Sequence, residues 1–464
     1  MAHQCTCGTL KFVPPFDPGF KPAFLKLRGI REAAKADPEH GTVVIAIERD
    51  NGAINRYELP YPKKALECAG FPCFVERIVK FMLWSAGGYK VMIDAPEAVV
   101  AKIKADYTET GARAFDYGFF KTVYARPIEV VAMPAAEIPQ GHDLSISLGG
   151  NMNGNRIGFD LGGSDFKLTA MVNGESVWQK EVPWDPYNAT DAAYHYDHIK
   201  AGFEETISHL PGGKVDAIGG SSAGVIVDNE LRHAGLIKGI KDPDQYRQAQ
   251  LLFKRLKADY GVPMEVANDG DVSALVGRLA LGKKGIIGLA MGTSEAVGYI
   301  DNSEKGVLTG RISELAFAPV DLNKDAAVDP WSGDTGVGAL YFSQQAVNKL
   351  GLAAGFPFKE TTLPLRLKEV QKAMEADDPT AIKIYEAIGI YLGYTLPWYA
   401  EFYDYTSLML LGRVSSGKGG DLILATAKKV LTEEFPEYNI DIFMPDEQVR
   451  RLGQSAAAAS LPEC

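Results

Sequence analysis

One short stretch of the chain combines an acidic residue, two glycines and a hydroxyl in a pattern suited to holding a phosphate. It is Asp160-Leu161-Gly162-Gly163-Ser164, and it lies between two alternating apolar runs that predict a β-hairpin. Gly162 and Gly163 leave the backbone open to a phosphate, and Ser164 adds a hydroxyl and an N–H group. Asp160 is placed to hold Mg²⁺, directly or through water. The same glycines would also suit a tight turn that binds nothing. Considered by itself, this stretch therefore leaves both a phosphate-binding loop and a plain hairpin turn open.

Further polar turns follow apolar strands later in the chain. They are Gly219–Gly224, Asn268-Asp269, Gly292-Thr293-Ser294 and Gly412–Gly417. Repeated strand, turn and helix units predict an α/β sheet, and functional residues of such sheets gather at strand ends. For Asp269 the residues leave an alternative open, because a carboxylate just before the helix at Val272 could be only a helix N-cap.

The elements before the hairpin predict a separate small α/β region. We expect a strand at Gly41–Glu48, a helix at Phe74–Trp84, a strand at Tyr89–Ile93, and a helix at Ala95–Tyr107 that opens after Asp94 as its cap. Near the other end of the chain, Pro379–Tyr403 predicts a long helix that Pro397 should kink or break.

Length and pattern predict several domains, since 464 residues exceed one core of ordinary size. The predicted organisation is an N-terminal arm (1–24), an accessory α/β domain (25–145), a first lobe (150–270 with 436–464) and a second lobe (271–435).

Composition excludes some classes of function. Apolar residues make up 46% and charged residues 23%, which is ordinary for a folded globular chain. The formal charge of −11 argues against a nucleic-acid-binding protein with a broad basic face. No long apolar run and no leader pattern are present, so we predict a cytoplasmic protein with no membrane partner.

The five cysteines are Cys5, Cys7, Cys68, Cys73 and Cys464. They are too few and too scattered for a disulfide framework. The first four could form a zinc site, but the spacing of the second pair is untypical and no His lies nearby.

Taken in order, the polar turns resemble the motifs of ROK and hexokinase-like sugar kinases in the actin-like ATPase superfamily. The resemblance covers the chain from about Asn155 to its C-terminus. It implies a two-lobed, ribonuclease-H-like α/β kinase core carrying an extra N-terminal α/β domain. It also implies ATP and Mg²⁺ as cofactors, a sugar and a nucleotide as small-molecule partners, and a homodimer.

The resemblance assigns a role to each matching residue. Asp160 is the metal residue, and Asp269 is the general base that accepts the proton of a sugar hydroxyl. The implied substrate-binding residues are Ser222, Asn268 and Glu314. The implied phosphate and nucleotide ligands are Gly162, Gly163, Ser164, Lys167, Gly292, Thr293, Ser294, Gly412 and Arg413.

The chain departs from the family pattern at several positions. Phe317 stands where the family has a His that serves as a sugar or zinc ligand, and Trp331–Gly338 replaces the Cys-containing zinc segment. We therefore expect no structural zinc. Arg413 and Glu295 stand where the family usually has Gly, and the accessory domain has no counterpart in the common pattern.

These observations predict ATP-dependent phosphorylation of a hydroxyl on a hexose or hexose derivative. The alternative is a non-catalytic sugar-binding or regulatory protein that has kept the fold and lost efficient nucleotide binding, for which Arg413, Glu295 and Phe317 argue. An ATPase of the actin or chaperone type is a third alternative, weakened by the match of Asn268, Asp269 and Glu314 to sugar-kinase positions.

Overall fold

Strand and helix patterns alternate along the chain, and they produce the mixed α/β fold expected from the sequence. The computed structural model describes residues 8–144, 146, 149–304, 306–446 and 453–463. It divides into two compact units. Unit 1 comprises 1–144, 289–297 and 311–444, and unit 2 comprises 145–288, 298–310 and 445–464. The domain boundaries given above stay a prediction.

The N-terminal α/β region belongs to unit 1 and contains a sheet of order β2-β1-β3-β4. Its strands are β1 (Gly41–Glu48), β2 (Ile54–Tyr61), β3 (Lys90–Asp94) and β4 (Glu129–Ala132). Its helices are α1 (Ala23–Lys35), α2 (Phe71–Ala86), α3 (Glu97–Asp106) and α4 (Ala114–Tyr124).

Helix α2 is the buried centre of this region. From Phe74 to Ala86 every residue is buried, including the ionisable side chains of Glu76, Arg77 and Lys80. The expected cap of α3 was wrong, because the helix begins after Pro96 with no side-chain cap. Asp94 instead accepts a hydrogen bond from the backbone N–H of Ala135, 2.8 Å away.

Unit 2 contains the hairpin in a sheet of order β11-β8-β5-β6-β7. Its strands are β5 (Asn155–Leu161), β6 (Asp165–Val172), β7 (Glu175–Pro183), β8 (Ala217–Ser222) and β11 (Met264–Asn268), with a separate pair β9 (Val225–Val227) and β10 (Glu230–His233). Its helices are α5 (Ala192–Ser208), α6 (Pro243–Gln250), α7 (Leu252–Tyr260) and α8 (Asp269–Leu281).

The part of the chain from 286 to 443 contains a four-stranded sheet of order β13-β12-β14-β15, and its residues 289–297 belong to unit 1. The strands are β12 (Ile286–Met291), β13 (Glu295–Ile300), β14 (Ser407–Leu411) and β15 (Asp441–Phe443). The helices of this part are α9 (Gln344–Ala353), α10 (Leu363–Glu375), α11 (Pro379–Ala400) and α12 (Gly417–Glu434).

Pro397 does not break α11, which continues to Ala400. The proline lies in the last turn, so the hydrogen bond lost through its missing N–H is close to the natural end of the helix. The expectation of a break was wrong for this reason.

A short C-terminal helix, α13 (Gln454–Ala459), packs on the sheet of unit 2. Glycines on two strands make this close approach possible. A Cβ on Gly158 would collide with the carbonyl of Ser455, and a Cβ on Gly219 would collide with that of Ala458. Because these two strand positions are glycines, the alanine-rich helix α13 can lie directly against the sheet.

No helix within the described ranges is both long enough and apolar enough to span a membrane.

Candidate active site

Three neighbouring parallel strands of unit 2 end on polar residues at the same edge of the sheet. Strand β5 pairs with β8 so that Asp160 lies opposite Ser221 and Leu161 lies opposite Ser222. Strand β11 pairs with β8 so that Asn268 lies opposite Ser222. The sheet therefore brings Asp160, the two serines and Asn268 together, as expected for carboxyl ends of parallel strands.

Asp160 is held in place by a neighbouring hydroxyl. Ser221 donates a hydrogen bond of 2.7 Å to its Oδ1 atom, and only 9% of the residue is exposed. Burial raises the pKa of Asp160, while the Ser221 hydrogen bond and the charge of Lys167 work in the opposite direction. Lys167 is exposed and lies opposite Asp160 in the hairpin register.

Asn268, and not Asp269, caps helix α8. The side-chain Oδ1 of Asn268 accepts a hydrogen bond of 2.8 Å from the backbone N–H of Gly270, and its Nδ2 donates to the carbonyl of Gly224 at 2.9 Å. Asp269 is the first residue of the helix. The alternative that Asp269 serves only as the N-cap is therefore wrong.

Asp269 lies in surroundings that raise the pKa of its carboxyl group. It is partly buried, and its Oδ1 accepts a hydrogen bond of 2.9 Å from Gly270. Burial and the nearby charge of Asp160 raise the pKa of Asp269 to about 6, against the effect of that backbone hydrogen bond. A carboxylate with this pKa is ionised at neutral pH and is more basic than an ordinary aspartate, which suits proton abstraction from a hydroxyl.

The glycine turn after β5 is ordered by its own backbone and by two aromatic residues. The N–H of Gly162 donates to the carbonyl of Asp165 at 3.0 Å, and Trp184 donates from its indole nitrogen to the carbonyl of Gly162 at 2.8 Å. A Cβ on Gly163 would collide with the ring of Tyr187. Gly163 therefore has a packing reason as well as the predicted phosphate role.

The remaining predicted residues of unit 2 differ in exposure. Ser164 is exposed and its hydroxyl donates to the carboxylate of Asp165 at 2.9 Å. Ser222 is fully buried, and its hydroxyl lies 3.4 Å from the carbonyl of Ala223. Ser221, which the sequence did not single out, makes the contact with Asp160.

Unit 1 contains the other predicted phosphate residues, which lie in two turns. The two turns are joined by a hydrogen bond between their backbones. Between β12 and β13, the N–H of Gly292 donates to the carbonyl of Ser294 at 3.0 Å, closing the turn around Thr293. The carbonyl of Met291 accepts a hydrogen bond from Val414 at 3.0 Å. The residue at 412 must be small, because a Cβ there would collide with the Met291 backbone and its φ is +93°.

Arg413 has an exposed side chain at the start of the loop that leads into α12. Its backbone is fixed, because its carbonyl accepts hydrogen bonds from Gln371 Nε2 at 2.8 Å and from the hydroxyl of Ser416 at 2.7 Å.

Glu295 is turned into the interior of unit 1. It is 4% exposed, and Tyr399 donates a hydrogen bond of 2.8 Å to its Oε1 atom. Burial raises the pKa of Glu295 to about 8, with the charge of Glu314 adding to the effect and the Tyr399 hydrogen bond opposing it. The side chain is therefore mostly neutral at pH 7, and it does not bring a full negative charge to the adjacent turn.

Glu314 follows a strained residue. Ser313 is buried and has a φ of +47°, a conformation that non-glycine residues adopt rarely and that is common at functional sites. Its N–H donates to the carbonyl of Ser85 at 3.0 Å. Glu314 then precedes a short 3₁₀ helix, Leu315–Phe317, and is partly exposed.

Phe317, for which the sequence comparison above expected a histidine, joins an aromatic cluster of the N-terminal α/β region. Its ring centroid lies 4.7 Å from that of Trp84 and 5.1 Å from that of Phe115. The structure thus gives Phe317 a packing role that sequence reasoning missed.

The cysteines show no arrangement for zinc in the part of the chain that the structure describes. Cys68 is disulfide-bonded and so supplies no thiolate, and Cys73 is a free, exposed thiol. Cys5, Cys7 and Cys464 lie outside the described residues. Among the described residues, no cluster of three or more His, Cys, Asp or Glu side chains could hold a metal ion.

A cavity of about 430 Å³ lies elsewhere in unit 1 and contains none of the predicted site residues. Two arginines in its wall already donate to protein groups: Arg56 to Glu58 and to the carbonyls of Ile138 and Pro139, and Arg311 to Asp143 and to the carbonyl of Phe402. We assign it no role in the reaction.

Comparison with known proteins shows which fold this is. No protein-family model matches the sequence. The chain is similar to the glucokinase of Halalkalibacterium halodurans, with 23% identity over 290 residues, which span 59% of this chain and 84% of the relative. Its structure is similar to that of a ROK hexokinase from Thermus thermophilus, with a TM-score of 0.50, 17% identity, and coverage of 66% of this chain and 98% of the other.

It is also similar to a ROK-family transcriptional regulator described as a homologue of the E. coli MLC protein. The TM-score is 0.53 at 15% identity, covering 67% of this chain and 78% of the regulator. The chain has the ROK fold. The predicted hexokinase-like core is therefore confirmed, and the N-terminal α/β region is present in addition to it. Enzymes and a regulator share the ROK fold, so the fold alone does not decide the activity.

Proposed function

We propose that this chain is a carbohydrate kinase that transfers the γ-phosphate of ATP to a hydroxyl of a hexose or hexose derivative. The observation that carries the proposal is Asp269, a carboxylate whose pKa is raised to about 6 by burial and by Asp160, at the polar edge of the sheet. Similarity to a curated glucokinase and to a ROK hexokinase supports it.

In the proposed mechanism Asp269 accepts the proton of the attacking hydroxyl. This requires the hydroxyl oxygen within about 2.6–3.2 Å of the carboxylate. Asn268 is available to bind a neighbouring hydroxyl, although its amide already bonds to Gly224 and to the helix N-terminus. Glu314, which belongs to unit 1, is the residue that we propose binds the sugar.

The residues fit a magnesium ion held mainly by the substrate. Asp160 offers one carboxylate fixed by Ser221, and Mg²⁺ in phosphoryl-transfer sites usually binds one or two carboxylates with phosphate oxygens and water. When bound, Mg²⁺ offsets the negative charge of the transferred phosphate. The N–H groups of Gly162 and Gly292 donate within their own turns. The backbone N–H groups of Gly163, Ser164, Thr293 and Ser294 are the proposed protein contributions to phosphate binding.

The test is a panel of hexoses, amino sugars and their derivatives with labelled ATP. We expect turnover of at least one sugar, and a loss of roughly 10²–10⁴-fold in kcat for Asp269→Asn, the range typical of a general base. Asp271→Asn is a matched control on the same helix, because Asn retains an acceptor for the N–H of Tyr299 that Asp271 now binds at 3.1 Å. Full activity of Asp269→Asn, or no turnover with any sugar, contradicts the proposal.

A regulatory, non-catalytic sugar-binding protein is the second candidate. The ROK-fold regulator is as similar in structure as the hexokinase, and Phe317 offers no polar ligand where the family has one. Calorimetry separates the two candidates, since sugar binding without detectable ATP binding would favour the regulator. The buried, mostly neutral Glu295 removes one reason for this alternative.

A further inference from the structure

The segment that carries Glu314 is attached to the N-terminal α/β region at two separate points, both within unit 1. We call residues 311–338 the Glu314 segment. One attachment is aromatic and involves Phe317, near Glu314. The other is ionic and involves Asp334, near the far end of the segment. No motif in the N-terminal α/β region indicates a function for it, and these contacts connect it to a residue of the candidate site.

The aromatic attachment fixes the start of the segment. Phe317 packs on Trp84 of α2 and on Phe115 of α4, and Trp84 is fully buried. Next to this cluster, Ser85 of α2 accepts the N–H of the strained Ser313. The backbone on both sides of Glu314 is therefore held by residues of the N-terminal α/β region.

The ionic attachment fixes the end of the segment. Asp334 accepts three hydrogen bonds from Arg77, of 2.6, 2.7 and 2.8 Å, and forms ion pairs with Lys80 at 2.7 Å and Arg113 at 2.9 Å. Burial alone would raise the pKa of Asp334, but these three cations hold it below its ordinary range. Lys80 itself is fully buried.

The two attachments form one network. Asp116 of α4 accepts a hydrogen bond from the indole nitrogen of Trp84 and forms an ion pair of 3.0 Å with Lys80, which in turn contacts Asp334. Arg113 also pairs with Glu76 at 2.7 Å. Three cations thus meet three carboxylates, so each buried charge is compensated.

We infer that the N-terminal α/β region positions Glu314 for acceptor binding, with Trp84 and Phe115 holding Phe317 while Arg77, Lys80 and Arg113 hold Asp334. The inference rests on the proposed function, because Glu314 has an acceptor to bind only if the chain binds a sugar. The residues named are positioning residues, since none of them touches a reacting atom. Packed rings and paired charges can hold a loop more rigidly than hydrogen bonds within the loop's own backbone can.

The test compares Phe317→Ala with Phe317→Tyr in the full-length protein. For Phe317→Ala we expect the KM for the sugar to rise on the order of tenfold or more, the KM for ATP to stay unchanged, and kcat to change little, since misplacement of a substrate ligand affects the interaction it makes. Phe317→Tyr keeps the ring and should restore the sugar KM. A matched control is Phe358→Ala, which removes a partly buried ring of unit 1 that pairs with Phe356 and lies outside the Glu314 segment.

Hydrogen–deuterium exchange gives a second measurement that does not depend on catalysis. Phe317→Ala should accelerate exchange of backbone amides in residues 313–338 and leave strand β14 protected. Asp334→Asn should do the same from the other attachment, whereas Glu109→Gln, which removes an exposed ion pair with Lys121 at 2.7 Å, should leave the Glu314 segment unchanged.

Two failures are distinguishable. If the wild-type protein neither binds nor phosphorylates any sugar, the proposed function is wrong and the positioning inference falls with it. If the wild-type protein is active and Phe317→Ala has wild-type sugar KM and wild-type exchange in 313–338, the positioning inference is wrong while the proposed function stands. Equal changes in both KM values with a lower melting temperature would also overturn it, because they indicate a general structural role.

Discussion

The buried carboxyl group of Glu295 makes stability depend on pH in a way that one substitution should remove. The folded protein raises the pKa of Glu295 from 4.5 to about 8. Between these two pH values the folded chain keeps the proton and the unfolded chain has lost it. Because the folded state binds more protons, the free energy of unfolding must fall as pH rises through this window, and the effect is complete above pH 8.

The slope follows from the linkage relation. One proton of difference corresponds to about 1.4 kcal/mol per pH unit, so the whole window amounts to roughly 5 kcal/mol as an upper estimate. In Glu295→Gln this dependence is absent. The amide can still accept the hydrogen bond from Tyr399, but its buried N–H groups bring a cost of about 1–3 kcal/mol if one lacks an acceptor. That cost does not vary with pH. The prediction therefore concerns how the free energy of unfolding changes with pH, and not its absolute difference between the two proteins.

The assay is urea unfolding of both proteins at pH 5, 6, 7, 8 and 9, followed by tryptophan fluorescence. Trp84 and Trp398 are buried in unit 1, as is Glu295, and report on its unfolding. We expect the stability of Glu295→Gln relative to wild type to increase steadily up to about pH 8 and then to level off. Tyr399→Phe should extend the window to higher pH, because the Tyr399 hydrogen bond lowers the pKa of Glu295. A constant difference between wild type and Glu295→Gln from pH 5 to 8 would refute the reasoning.

Three further predictions follow from the same structure. If Asp269 is the general base, kcat/KM should fall as pH drops below about 6, because protonation removes the base; a profile that is flat between pH 5 and 8 would contradict this. Gly338→Ala should lower the free energy of unfolding by about 1–3 kcal/mol, since its Cβ would collide with the carboxyl of Glu295, while Gly118→Ala, in open space on α4, should be neutral or stabilising. Lys80→Met should lower the free energy of unfolding in urea by about 3–5 kcal/mol, because it leaves buried carboxylates uncompensated. The exposed Lys121→Met should change it by less than about 1 kcal/mol. Equal effects of the two lysine substitutions would show that the buried network contributes nothing to stability.

Local patterns were sufficient for the elements that carry the candidate base. The apolar run before Asp160 and the run before Asn268 each predict a strand, and parallel strands place their ends at one edge, so the sequence could anticipate that these side chains meet. Strand β1 was predicted at the residues where it occurs, Gly41–Glu48. The order of the polar turns indicated the hexokinase-like core, and the comparison of structures confirms that fold.

Tertiary structure decided which neighbour each side chain has. Ser221 and not Ser222 contacts Asp160, because successive residues of a strand point to opposite faces and only the pairing of β5 with β8 fixes which serine faces the carboxylate. Glu295 follows a polar turn in the sequence, and only packing against Tyr399 shows that it is buried and mostly neutral.

The sequence by itself determined the strands, the turns and the residue types that make phosphoryl transfer a reasonable chemistry, because these depend on neighbours within a few positions. It could not determine which distant residues contact the Glu314 segment. Asp334 and Arg77 are 257 positions apart, and neither has a local pattern that names its partner. Long-range packing and charge pairing therefore decided which residues of the N-terminal α/β region contact the Glu314 segment, since both depend on which surfaces meet in the folded chain.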